Sequence, residues 1–195
     1  MKFVVSILLM VIVILAGCTP EEDENYVPKP RGYMRLEIDV EKSYRPYPNE
    51  GCPYSFEIPE YANVTVKESS EADTCFRNIE FPDFKATVYL TYKALNNNVA
   101  QNLEQSRKLL VNHQIKATGI KDSVILRPDE RVYGMIHYLK GDAASNCVFY
   151  LTDSVNHYIH GSLYFYAPPQ YDSLKPVLNF ITTDIEHFVS TFAWK

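Results

Sequence analysis

From Gly32 to Tyr92 the chain alternates apolar and polar residues, broken by turn residues, as strands with one buried face do. Met34, Leu36 and Ile38 interleave with Arg35, Glu37 and Asp39. Tyr54-Ser55-Phe56-Glu57-Ile58 stops at Pro59, Val64 and Val66 make a brief strand, and Ile79-Glu80-Phe81 stops at Pro82. Ala86, Val88, Leu90 and Tyr92 alternate with Lys85, Thr87, Tyr89 and Thr91.

The period then lengthens. Val99, Leu103, Ser106, Leu110 and His113 fall on one face of a helix, with Asn98 as its cap and Gln101 placed to complete a capping box. Strands return at Ile115–Leu126, Val132–Leu139, Cys147–Leu151 and Tyr158–Tyr166, the last three joined by short polar turns into an antiparallel meander. Pro168-Pro169 ends that run. A closing helix follows, capped by Asp172 or Ser173, with Pro176 in its first turn and an apolar stripe from Leu174 to Phe192. A stripe that wide needs a sheet to cover. The pattern therefore predicts an α+β domain, an antiparallel sheet layered with two main helices, on opposite faces or both on one.

The front of the chain is of another kind. Lys2 precedes an apolar run from Phe3 to Ala16 that is short for a membrane span, and Leu15-Ala16-Gly17-Cys18 closes it. This is the layout of a bacterial lipoprotein signal: cleavage before Cys18, whose thiol is acylated (palmitate is one such group) and holds the chain to a membrane. Two or more acyl chains anchor stably where one does not. The expected organisation is a signal peptide over 1–17, a lipidated Cys18 and disordered acidic tether over 18–27, and one domain over 28–195. The tether's Glu21-Glu22-Asp23-Glu24 run has nothing to bury. After it, Pro28 and Pro30 enforce an extended path, and Lys29, Pro30, Arg31, Gly32 and Tyr33 form a stiff arm suited to recognising a partner.

Composition narrows the function. Losing Lys2 with the leader takes the net charge from −5 to −6, which gives no basic face for nucleic acid. The 15 tyrosines and 10 phenylalanines suit strands and interfaces, and Tyr133, Tyr138, Tyr150, Tyr158, Tyr164 and Tyr166 crowd the meander as a second candidate surface. The C-terminal Trp194 is either an interface residue or a seal on the core.

With Cys18 acylated, Cys52, Cys75 and Cys147 remain. Cys52 and Cys75 are the favoured disulfide, in a compartment where one persists, and Cys147 sits in an apolar run as a buried thiol. No Cys or His spacing suggests zinc, so no metal and no cofactor is expected. His157 and His160 are three apart in a strand and point to opposite faces; His113 and His187 lie on helices without a ligand partner at i+3 or i+4, and His137 sits in a strand opposite Tyr138. Ser145 stands outside any Gly-x-Ser-x-Gly elbow, and Asp129 and Glu130 sit in a charged turn beside Arg127 and Arg131. The expectation is a binding module and no enzyme.

Several segments carry a resemblance: Tyr26-Val27-Pro28-Lys29-Pro30-Arg31-Gly32-Tyr33, Cys52-Pro53-Tyr54-Ser55-Phe56, Asn78-Ile79-Glu80-Phe81-Pro82, Tyr133-Gly134, Gly141-Asp142-Ala143-Ala144-Ser145, Phe149-Tyr150-Leu151-Thr152-Asp153-Ser154, Gly161-Ser162-Leu163-Tyr164-Phe165 and Phe192-Ala193-Trp194-Lys195. In order along the chain they resemble the gliding-motility lipoprotein D family (GldD) of Bacteroidetes. That resemblance implies a lipoprotein needed for gliding motility and for the linked type IX secretion machinery. It brings no catalytic residue, and it implies cysteines at both Cys52 and Cys75. Its partners would be envelope proteins of the motility and secretion apparatus. The localisation implied is the cell envelope, lipid-anchored in the outer membrane, where the acidic run resembles a surface-export signal and equally fits a plain spacer. The layout also resembles Mog1/PsbP-like domains, an architectural likeness. An alternative function is a periplasmic ligand-binding or chaperone-like lipoprotein using a cleft between sheet and helix.

Overall fold

The structure, a computed structural model, describes residues 38–66 and 75–195. Among these residues ten strands and two helices follow in the order β1 (Tyr44–Tyr47), β2 (Tyr54–Pro59), β3 (Asn63–Val66), β4 (Arg77–Phe81), β5 (Ala86–Ala94), α1 (Val99–Gln114), β6 (Ala117–Arg127), β7 (Val132–Gly141), β8 (Cys147–Thr152), β9 (His157–Phe165), α2 (Tyr171–Thr191) and β10 (Ala193–Trp194). Seven strands form one antiparallel sheet in the order β3-β4-β5-β9-β8-β7-β6, and β1-β2-β10 form a second. This is the expected α+β architecture, with α1 and α2 on opposite faces of the larger sheet.

The faces follow from the strand alternation. Ile136, Cys147, Phe149, Leu151, Ile159, Leu163, Val88 and Leu90 belong to the main core, together with Tyr54, Phe56 and Ile58 of β2 and Ile181, Ile185, Phe188 and Phe192 from α2 and its end. Phe188 ties these layers, lying 4.8 Å from the Phe56 ring and 5.7 Å from the Phe149 ring. A smaller cluster of Leu110, Leu139, Ala143 and Val148 forms where α1 meets the other face.

Two turns share one local device. Pro82-Asp83-Phe84-Lys85 and Pro128-Asp129-Glu130-Arg131 each make a 3-10 turn after a strand, and Lys85 and Arg131 then take left-handed backbone (φ 48° and 54°) to reverse the chain. The end of α2 is capped from a distance. Arg127 donates to the carbonyls of Val189 and Phe192 at 2.6 and 2.8 Å, placing a cation where the helix dipole is negative.

Three expectations need correction, and one strand was not expected. Ile38 and Asp39 lie outside any strand, and the rest of the Met34–Glu37 alternation lies outside the described residues. Strand β1 contains Pro46, which hides it from a propensity reading and suits its position at a sheet edge. Asn98 does not cap α1 with its side chain: its Oδ1 accepts from the Asn96 N–H instead. Helix α2 begins one residue before the expected caps, with Gln170 at the cap position, and Asp142 accepts from the Tyr171 N–H.

Candidate functional site

On the face carrying α1, strand register sets side chains in rows. One row runs Val124 (β6), Met135 (β7), Tyr150 (β8), His160 (β9) and Thr91 (β5). The next runs Asp122, His137, Val148, Ser162 and Tyr89. Helix α1 crosses β8 and β9 here: Ser106 is hydrogen-bonded to the Tyr158 hydroxyl, Leu110 packs with Val148, and His113 meets Tyr164. It leaves the second half of β6 uncovered on this face. Val124 and Leu126 are consequently 69% and 70% exposed, beside a cleft of about 400 Å³ between α1 and the sheet.

Leu103, Leu110, Met135, Val148 and Tyr150 give that cleft an apolar lining. Its charged lining groups are internally matched: Arg107 pairs with Glu104 at 2.8 Å, and His137 Nδ1 lies 2.7 Å from Asp122. His160 lines the inner end, with a buried Nε2 lacking a hydrogen-bond partner. Burial first, and then the neighbouring His113, Lys93 and His137, hold its pKa down at about 4, so the ring is neutral at pH 7. An apolar cleft bordered by an exposed apolar edge can bury another molecule's side chains.

The remaining histidines have local partners. His157 Nδ1 meets the Tyr92 hydroxyl at 2.8 Å and its ring stacks on Trp194; His187 Nε2 meets Glu57 at 2.7 Å beneath the ring of Tyr44. Trp194 thus lies against the core, T-shaped on Phe192, with β10 paired to β2. Among the described residues no group of three His, Cys, Asp or Glu side chains is placed to hold a metal.

Cys52 and Cys75 are joined in a disulfide, and Cys147 is a buried free thiol. Arg77 donates to Cys52 Sγ and to Asn49 Oδ1, while the fully buried Tyr54 hydroxyl donates to the Cys75 carbonyl. Cys18 and the arm Lys29, Pro30, Arg31, Gly32 and Tyr33 lie outside the described residues. Of the meander tyrosines, Tyr150 alone lines the cleft, whereas Tyr138 turns to the other face and bonds Glu186. The apolar β6 residues escaped the sequence reading, because alternation marks a strand without saying whether a helix covers it.

The model of the family described as gliding motility lipoprotein GldD matches residues 23–194. The chain belongs to the GldD family. It is a gliding-motility lipoprotein by family, and the match runs through the whole described domain. Comparison with curated proteins gives no match. Among solved structures it is similar to the solution structure of cyanobacterial PsbP (CyanoP) from Synechocystis sp. PCC 6803, at 9% identity and a TM-score of 0.48, covering 83% of this chain and 98% of that one.

Proposed function

We propose that this chain is a lipid-anchored, non-enzymatic accessory protein of the gliding motility and type IX secretion machinery, acting by protein–protein docking in the cell envelope. Membership of the GldD family supports the setting. One structural observation carries the docking role: an exposed apolar edge, Val124 and Leu126, in which Val124 pairs in register with Met135 of the cleft lining beside α1. Soluble monomers seldom leave such a strip open without a use. Cys18 is the anchor in this reading, the outer membrane its location, and Lys29 to Tyr33 a second contact carried on the tether side.

The test is Cys18→Ser in the source organism. The variant is expected to leave the membrane fraction and to lose type IX cargo secretion. Membrane retention together with full secretion would overturn the reading.

A second reading, a periplasmic ligand-binding or chaperone-like lipoprotein, has the 400 Å³ cleft in its favour. A small molecule co-purifying in that cleft would support it.

A further inference from the structure

The larger sheet ends in two unlike edges. Strand β3 has 4 residues, whereas β6 has 11 and pairs only with β7 among the described residues. Its outer backbone N–H and C=O groups must bond to water or to another strand. A register shift between Ala117 and Gly119 bends its first residues, so the regular part begins at Gly119. Natural edges this long are usually guarded by charge along their length. Here Lys121 and Asp122 guard the middle and Arg127 closes the strand, while Ser123-Val124-Ile125-Leu126 between them is uncharged.

We propose that β6 accepts an extended segment of a partner envelope protein as an added antiparallel or parallel strand, with alternate apolar side chains lying over Val124 and Leu126. This rests on the docking reading and names the chemistry of its partner. A small molecule would fill the cleft and leave the edge backbone unpaired. A helix would cover the apolar strip, yet its own backbone groups are already satisfied. An extended peptide uses both.

Charge specifies the residues between the apolar ones. The opposite face of β6 carries Lys121, whose ammonium stands 5.8 Å over the Tyr138 ring, and Arg127. A carboxylate directly across from Lys121 gains a favourable cross-strand pair. The partner segment is therefore apolar at every second position, acidic at one or more positions between, and free of proline.

The test places p-benzoylphenylalanine at Val124, and separately at Asn63 on the β3 edge, in the full lipidated chain in cells. Irradiation is followed by sequencing of the crosslinked peptide. The expected result is a crosslink from Val124, absent from Asn63, to an alternating apolar and acidic segment of a different envelope protein. Capture of that protein should fall about tenfold or more in the double variant Val124→Lys, Leu126→Lys, since losing each interface anchor typically costs a tenfold step. Both positions are exposed, so an unchanged melting temperature shows that the variant still folds. A crosslink to residues 1–37 of the same chain, to a second copy, or to lipid would overturn the proposal. Undiminished capture by the double variant would overturn the edge and leave docking intact. Capture of no partner by either form would overturn docking itself.

Discussion

Asp184, buried on α2, accepts the Lys42 ammonium at 2.7 Å, across 142 positions of sequence. The Tyr44 hydroxyl donates to the same oxygen at 2.8 Å, and Tyr61 donates to the other. Lys42 also lies 4.1 Å over the Phe180 ring and donates to the Phe180 carbonyl. One carboxylate thus holds the segment leading into β1 and the turn after β2 against the final helix. Its ionised form needs those donors, because a buried carboxylate without them is costly. The same contacts burden the phenols: burial, then the Asp184 hydrogen bond, push the pKa of Tyr44 and of Tyr61 up.

Removing Asp184 should therefore cost more than removing any one of its three donors. Asp184→Ala is expected to destabilise the fold by about 3 kcal/mol and Lys42→Met by about 1–2 kcal/mol, the latter leaving two phenols in place. Urea unfolding followed by circular dichroism measures both. Equal, near-zero effects would show that the cluster holds nothing together.

Gly161 lies beneath an aromatic ring. A Cβ there would sit 2.1 Å from Cζ of Phe149, so the missing side chain is what lets that ring fill the core. Gly161→Ala is expected to cost about 3 kcal/mol through overpacking. Pairing it with Phe149→Leu should cost less than the sum of the two single changes. Strict additivity in thermal melts would contradict the contact.

The disulfide closes a loop spanning 23 positions. Loop entropy assigns such a staple about 3 kcal/mol, so reduction or Cys52→Ala with Cys75→Ala should lower the melting temperature by several degrees. Cys147 behaves oppositely. Burial pushes its thiol up to about 12, and iodoacetamide should label it only after unfolding. Rapid labelling of the native protein would place Cys147 at the surface.

His160 links stability to pH. Its folded pKa, held at about 4 mainly by burial, lies below the unfolded value of about 6.5. Between these values the unfolded chain binds the extra proton. The stability is complete above about pH 6.5 and is lost as pH falls toward 4, by up to about 3 kcal/mol. His113, lowered by burial as well, adds in the same direction. His160→Gln should flatten the acid limb of a stability–pH curve. An unchanged limb would assign it to other groups.

Much of this fold was legible because period-two alternation and turn residues survive in the sequence. The strands at Tyr54, Ala86 and Val132, the meander, and both helices stand close to where the pattern put them. What was hidden depends on tertiary placement. Strand β10 is only Ala193 and Trp194, too short for any periodicity, and exists because β2 offers an edge. The Lys42–Asp184 contact joins distant positions that no local rule connects. Val124 and Leu126 look like core residues in the sequence, and are exposed because α1 passes over β8 and β9 and does not reach the second half of β6. The candidate docking face was therefore invisible as a surface, while the tyrosine-rich meander around it was noticed.

The most direct test of the account is affinity capture of the lipidated full chain from crosslinked envelopes, with quantitative mass spectrometry. Docking into the motility and secretion apparatus predicts strong enrichment of other motility lipoproteins and secretion-core components over a Cys18→Ser control. Recovery of the chain alone, with no protein enriched over that control, would contradict it.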